Sequence, residues 1–591
     1  MNRKFGRIAG VAAFALLACS SSWAQQDLSP QVVQQINAIT AVKATFTAAQ
    51  KKMDSQLAYG VLAAANDSRI AGFRNVVTRV GSGDVKVDIT GSVSPELLRA
   101  VTDAGGVVLF QSAEFGAITA TLPITAVSAI ADRQDVKRIR LTPARKTNVG
   151  AVTSQGYIAH EANKVVNTLG YNGAGVTVGV LSDSASAASI AALIATGDLP
   201  PGTHALAGQD GAPGSDEGTA MMEIVHDVAP GASLIFATAF VSPASFAANI
   251  IALATAGCKV IVDDVSYSDE GVFQDSLIAQ AVNTVTAMGV TYFSSAGNDG
   301  SLTFGTSSTW EGDFLSGGAA GGVLAGTGLV HDFGGQNYNV LTSSPLDVSV
   351  RWSDPLGGAT NDYDLYILNA AGTAIIDAST AVQDGTQDPI EEVFNGGGYA
   401  TGSRVVVVLF SGATRALHVS TFIGGTLSIN TQGATIGHNA AANAVTLAAT
   451  YWNSAKTGLK PFTGAANPNE IFSSDGPRKI FYNPNGTVIT PGNVLFATNG
   501  GTTLVKPDLA ASNGGSNLTP GFLPFFGTSA SAPHAAGIAA LILQAKPSYT
   551  VPQIKTAMTA TALDSMAPGV DRDSGYGIAM GFGAVQYALT H

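Results

Sequence analysis

Residues 527–537 read Gly-Thr-Ser-Ala-Ser-Ala-Pro-His-Ala-Ala-Gly, and Ser529 stands ahead of an uncharged small-residue run, 535–545, that stops at Lys546-Pro547. An apolar run of this length closed by a proline predicts a buried helix. A hydroxyl at such a start faces unpaired backbone N–H groups and the positive end of the helix dipole, so negative charge developing beside it is stabilised. That is the setting of a nucleophile; a capping serine is the plainer reading. Asp183 follows the apolar run 176–181 and Asn298 follows 290–295. Each sits just beyond what reads as a strand, where parallel sheets collect functional groups. A turn-forming aspartate and an Asn-Asp-Gly turn are the alternatives at these two places.

The elements that must hold these residues form a regular series. Strand-like runs at 176–181, 234–240, 259–265 and 290–295 alternate with helical patterns at 185–195, 243–256 and 273–288. Apolar strands alternating with helices predict a parallel sheet covered on both faces. Between Asn298 and Gly437 the helical pattern disappears. Short strands at 347–352, 363–368, 373–377, 404–410 and 416–422, separated by Gly, Asn and Asp turns, predict a β-sandwich.

The string around Ser529 closely resembles the nucleophile motif of subtilisin-like serine peptidases. On that resemblance Ser529 is the nucleophile and Asn298, in Ala296-Gly297-Asn298-Asp299-Gly300, donates to the oxyanion together with the Ser529 N–H. The segment 176–184 resembles the strand that delivers the family's aspartate, although strict counting from the valines falls on Ser182, one residue before Asp183. The family's histidine position, in Asp216-Glu217-Gly218-Thr219, is occupied by Glu217. Sedolisins, acid-active relatives on the same fold, place a glutamate base there and an aspartate four residues on, where this chain has Met221. Glu217 is therefore the expected base. His226 lies nine residues further along the same helix, about 13 Å away, His534 matches a structural histidine of the family, and His160 and His438 have no matching context. Segments 472–477, 506–511 and 437–449 also resemble the family, and Asp263-Asp264 sits where its substrate-pairing strand begins, 264–267. Those two carboxylates read equally as site residues or as a solvated strand end.

The fold class implied is α/β: a subtilisin-like three-layer parallel sheet core with an α+β N-terminal prodomain and an inserted β-sandwich resembling jelly-roll domains. The expected divisions are a signal peptide at 1–24, a propeptide at 25–148, peptidase segments at 149–300 and 434–591, and the insertion at 301–433. The prodomain expectation rests on a helix from Ser29-Pro30 to about residue 65, then strand, helix, strand, strand, helix and strand between 85 and 140. An ordinary accessory domain is its alternative. The function implied is a serine endopeptidase acting on polypeptides through an acyl-enzyme, with a Ser529, Glu217, Asp183 set, its own propeptide as inhibitor, and an optimum below neutral. The competing reading is an inactive binding protein on the same fold, which the missing histidine keeps open.

Composition bounds the rest. Net charge is −12 with 12% charged residues, which argues against a nucleic-acid surface. Arg3, Lys4 and Arg7 precede the apolar run 8–18, and Ser22-Trp23-Ala24 supplies small residues for cleavage, so a secreted or periplasmic monomer is expected. Leu16-Leu17-Ala18-Cys19 is a loose lipobox, leaving a lipid-anchored form open; no other stretch has membrane-spanning length. Cleavage after Ala24 leaves Cys258 as the sole cysteine, hence no internal disulfide. No cofactor is required by this chemistry. Acidic turns in the insertion and at Asp571-Arg572-Asp573-Ser574-Gly575 are candidates for structural calcium, with solvated turns as the plainer reading.

Overall fold

The computed structural model describes residues 39–70, 83–143, 145–146, 150–151, 154–422, 424–454 and 458–591. The expected signal peptide, Cys19 and the start of the N-terminal helix at Ser29-Pro30 lie outside the described residues. The core is a seven-stranded parallel sheet of β1 (Thr177–Ser182), β2 (His204–Ala205), β3 (Ser233–Thr238), β4 (Val260–Asp263), β5 (Thr291–Ser295), β6 (Val445–Tyr451) and β7 (Leu509–Asn513). Their order is β7-β6-β5-β4-β1-β3-β2, which sets β1, β4 and β5 side by side at the centre.

The strands are apolar on both faces because helices cover both. On one side α1 (Glu217–Val228) and α4 (Thr528–Ala545) pack against Val178, Val180, Phe236, Val262 and Leu447. On the other, α2 (Pro243–Thr255) and α3 (Leu277–Ala287) cover Leu181, Ile235, Ile261 and Tyr292. Alternate residues of one strand thus serve opposite layers. Helices α1 and α4 cross closely at Gly537, where an added Cβ would come within 2.7 Å of Val228. Ser242 caps α2 by accepting the Ser245 N–H. Helix α3 begins four residues later than the apolar pattern suggests, because Phe273 and Gln274 instead pair with Phe481 and Tyr482, and Phe273 packs on Phe481.

The N-terminal domain is a four-stranded antiparallel sheet in the order Val107–Ser112, Ala117–Pro123, Asp84–Gly91, Val136–Leu141. Helix Pro95–Asp103 is capped by Ser94, as its Ser-Pro-Glu start predicts. The single long helix expected up to residue 65 is broken. A turn at 44–49 precedes Asp54, whose carboxylate accepts the Leu57 N–H at 2.8 Å and opens a separate helix, Ser55–Ala64. An aspartate that satisfies a free N–H at a helix start competes with continuing the preceding helix.

The insertion is a β-sandwich. Strands Thr309–Asp313, Ala416–Ser420, Asp347–Trp352 and Ile390–Phe394 form one sheet. The other contains Ser316–Ala319, Leu329–His331, Arg404–Ser411, Asp362–Leu368 and Ile375–Ser379. Trp310, Val350, Trp352, Tyr363, Leu365 and Val407 fill the space between them. Among the described residues no helix is long and apolar enough to cross a membrane. Cys258 is buried, and burial pushes its thiol up to about 12, so it is an inert packing residue.

Candidate active site

Three neighbouring strands end at the same edge of the sheet and deliver the site. β1 ends at Ser182 and hands over Asp183, β4 ends at Asp263 and hands over Asp264, and β5 leads through Ala296-Gly297 to Asn298. Helices α1 and α4 start at this edge, so Glu217 and Ser529 are both first-turn residues, and both are fully buried.

Ser529 follows Gly527, whose φ of 115° is a conformation that favours glycine and turns the chain sharply into α4. Among the described residues its Oγ has no hydrogen-bond partner. Pro533 lies within α4 and lacks the N–H that would bond the Ser529 carbonyl four residues back. Asn298 is fixed from behind: its Oδ1 accepts the Thr528 N–H at 3.0 Å and the Thr528 hydroxyl at 2.9 Å. With the oxygen committed, the amide NH2 is the end free to donate on the other side. Gly297 N–H in turn donates to Thr528 Oγ1 at 3.2 Å, tying the β5 loop to the start of α4.

Asp183 is a hub of backbone contacts. Oδ1 accepts the N–H groups of Ser184 at 2.5 Å and Glu217 at 3.1 Å; Oδ2 accepts the Ser215 N–H at 2.5 Å and its hydroxyl at 2.7 Å. It therefore holds the start of α1 and reaches Glu217 through the backbone. Asp216, just before Glu217, adopts a left-handed φ of 62°, uncommon for a residue with a side chain. Its carboxylate accepts the Ser186 N–H at 2.6 Å and the Ser189 hydroxyl at 2.5 Å, which stabilises that turn.

The side-chain neighbour of Glu217 is Asp264. The Asp264 carboxyl is buried, faces the Ser182 hydroxyl and Glu217, and lies near Asp183 and Asp263. Among the described residues neither of its oxygens completes a well-formed hydrogen bond, so these contacts act as close electrostatic approaches. Burial is the main cause that pushes its carboxyl up to about 8; Ser182 and Glu217 pull it back, and the two flanking aspartates push it further up. Asp264 and Glu217 thus form a buried carboxyl pair that retains a proton near neutral pH. The sequence marks it only as one of two adjacent carboxylates at a strand end, and nothing local distinguishes the pair. The structure does: Asp263 turns away from Glu217.

Asp263 Oδ1 meets His438 Nε2 at 3.0 Å, while His438 Nδ1 meets Glu270 at 2.7 Å. Both ring nitrogens face carboxylates, so both donate and the ring is an imidazolium. Burial pulls its pKa down, but Glu270 and Asp263 outweigh that and push it up to about 10. The strand Ser266–Tyr267 is tied to this cluster: its Tyr267 N–H donates to Glu270 at 3.4 Å, and the Ser266 hydroxyl donates to Asn439, next to His438, at 3.2 Å. The other histidines stand apart. His534 bonds Ser154 and the Ala530 carbonyl, and burial lowers it to about 3. His160 accepts the Ser512 N–H at 2.9 Å and packs beside His534. Met221 is in the core, so no carboxylate stands one turn after Glu217; Glu223 accepts the Leu518 and Thr519 N–H groups.

Two short pieces of the chain's own backbone pair next to the segments that carry the site. Arg145–Lys146 pairs antiparallel with Ser266–Tyr267, and Gly150–Ala151 pairs antiparallel with Leu523–Phe525, just upstream of Ser529. As for metals, no grouping of three or more His, Cys, Asp or Glu arranged to hold an ion occurs among the described residues. Asp571 accepts the N–H groups of Asp573 and Ser574, and Asp573 Oδ2 accepts the Thr303 hydroxyl, while Asp573 Oδ1 is buried with no hydrogen-bond partner among the described residues.

Among solved structures, this chain is similar to the crystal structure of fervidolysin from Fervidobacterium pennivorans, a keratinolytic enzyme related to subtilisin. Identity is 15%, the TM-score is 0.41, and the match covers 86% of this chain and 62% of that one. The family described as the subtilase family, Peptidase_S8, matches residues 188–577, a span that begins after Asp183 and takes in Glu217, Asn298 and Ser529. That span is well over half of the 591 residues, and the chain belongs to the subtilase family.

Proposed function

We propose that this chain is a secreted serine endopeptidase, made as a zymogen, in which Glu217 takes the place of histidine and shares a proton with Asp264. The observation that carries this reading is where residues 145–146 and 150–151 pair. Arg145–Lys146 adds as a strand at Ser266–Tyr267 and Gly150–Ala151 at Leu523–Phe525, segments that adjoin Asp264 and Ser529 in the sequence, as a substrate backbone would add. The bond presented for self-cleavage falls between Lys146 and Gly150, and the N-terminal domain is the inhibitor that leaves.

In the first step Ser529 Oγ attacks the scissile carbonyl carbon while its proton passes to the Glu217 carboxylate. The carbonyl oxygen becomes an oxyanion held by the Asn298 NH2 and the Ser529 N–H. Glu217 returns the proton to the leaving amine nitrogen, the C–N bond breaks, and Ser529 is left as an ester. Water then attacks that ester, Glu217 again accepting a proton and giving it back to Ser529 Oγ. Asp183 fixes α1 so that Glu217 faces the cleft, and Asp264, which shares a proton with Glu217, disperses the charge of the pair. The pair titrates as a unit. Protonation of Glu217 removes the base at low pH, and ionisation of Asp264 places a second buried negative charge near the oxyanion at high pH, so activity peaks on the acid side of a histidine-based enzyme. No cofactor enters any step.

The test is conversion of the full chain. Wild type held at pH 4 to 7 should release the N-terminal domain, with a new N-terminus between residues 147 and 150, and should digest an unfolded protein. Ser529→Ala should do neither. Equal behaviour of the two proteins, or no conversion in either, overturns the reading in favour of a binding protein on this fold.

A further inference from the structure

The N-terminal domain rests on the insertion as well as on the cleft, and the contact is polarised. Lys43 pairs with Asp362 and Asp364, Lys51 with Asp384, and Arg138 with Asp388. In each of these pairs the cation belongs to the N-terminal domain and the carboxylate to the sandwich. The Lys43 end is the most enclosed. Its Nζ lies 2.9 Å from Asp362 Oδ1 and 2.8 Å from Asp364 Oδ1, the side chain is 4% exposed, and the Phe410 ring centroid is 4.2 Å below the ammonium.

The receptor half of this contact is built entirely by the sandwich. Asp362 and Asp364 are two apart on one strand and share a face, while Tyr363 between them points into the core. Tyr366 donates to Asp364 at 3.2 Å, and Glu391, a third carboxylate acting on Lys43, is anchored by Ser379 and Gln383. None of these supports comes from the N-terminal domain. Two carboxylates above an aromatic face suit an ammonium group, which takes both charge-assisted hydrogen bonds and ring attraction. They suit calcium poorly, since calcium takes six to eight oxygens and gains nothing from a phenyl ring. A cavity of about 310 Å³, lined by Gln56, Asp347, Gln383, Glu391 and Glu392, adjoins the site along the same interface.

We propose that this receptor is a substrate-docking site on the insertion: once the N-terminal domain has gone, Asp362, Asp364 and Phe410 bind a lysine side chain of the polypeptide being cleaved, and Lys43 fills that place in the zymogen. The occupant is a lysine-bearing polypeptide because the group held there now is a lysine of a polypeptide, and because removal of the domain withdraws Lys43, Lys51 and Arg138 and leaves their carboxylates behind. The inference rests on the proposed peptidase activity and on release of the N-terminal domain.

The test compares hydrolysis by the processed enzyme of an unfolded, lysine-rich protein, the same protein after lysine acetylation, and a short lysine-free fluorogenic peptide. Acetylation should raise KM for the long substrate about tenfold, a loss of ~1.4 kcal/mol of binding. Asp362→Asn/Asp364→Asn should raise KM equally for the unmodified substrate, leave the acetylated one unaffected, and leave kcat/KM for the short peptide unchanged. Phe410→Ala, at a residue already 36% exposed, repeats the comparison if the double variant does not fold. Activity on the short peptide with no effect of acetylation or of either variant on the long substrate overturns this inference alone. No activity on any substrate instead overturns the peptidase reading, and with it this one. Calorimetric binding of calcium chloride that the double variant abolishes, with acetylation without effect, makes the site a metal site and also overturns it.

Discussion

Replacing Asp264 by asparagine changes one proton and almost no volume. In the wild type Asp264, raised to about 8 by burial, shares a proton with Glu217 at pH 6. The amide of Asp264→Asn keeps a donor in that place, so kcat/KM at pH 6 should fall by no more than a few-fold. The amide does not ionise, so the alkaline decline governed by Asp264 should disappear. Asp264→Ala removes the donor and leaves the Glu217 carboxylate without this neighbour in a dry site. Leaving a buried polar group without its partner costs about 1–3 kcal/mol, which corresponds to a loss of roughly 5- to 150-fold in kcat/KM. The assay is the pH profile of kcat/KM from pH 4 to 10 on a fluorogenic peptide, with circular dichroism spectra matched between variants. An alkaline limb that stays in place in Asp264→Asn, together with an Asp264→Ala variant within twofold of wild type, refutes the pairing of Glu217 with Asp264.

Other outcomes follow from the same geometry. Asn298→Ala should lower kcat about 10²–10³-fold with little change in KM, since it removes a donor aimed at the oxyanion; steady-state kinetics on the same peptide check it. Gly537→Ala should destabilise the protein by about 1–3 kcal/mol despite alanine's better helix propensity, because its Cβ meets Val228 at the α1–α4 crossing, and denaturant melts in a Ser529→Ala background measure it. Stability of that same background should fall as pH rises from 6.5 to 8. Asp264 and Glu391 are each raised to about 8 by burial, so the folded state holds protons that the unfolded state has lost, and that advantage goes as they ionise. His438, raised to about 10, contributes stability that is full below about 6.5 and declines toward pH 10, so it acts in the same direction. A melting temperature that rises between pH 6.5 and 8 contradicts this.

The alternation of strands and helices in the core, the Ser94 and Ser242 caps and most insertion strands are readable locally, because each depends on a short pattern. The residues around Asp264 are not. Its pairing with Glu217 requires β1 and β4 to lie side by side, which neither segment encodes alone. His438 has no local motif and becomes a buried cation only because Asp263 and Glu270, far away in sequence, converge on it. Lys43 meets Asp362 across 319 residues, so the docking of the N-terminal domain on the sandwich is invisible to any window. The break before Ser55 was within reach, since Asp54 ahead of an apolar run is a cap signal in its own right.

The most direct measurement is covalent capture of the nucleophile. The processed chain is treated with a fluorophosphonate from pH 4 to 9, and the modified residue and its rate are read by mass spectrometry. Labelling at Ser529 that rises with a midpoint in the acid range, and that falls by orders of magnitude in Glu217→Gln, is the result expected of a carboxylate base. No labelling at any pH, or labelling in Glu217→Gln at the wild-type rate, contradicts it.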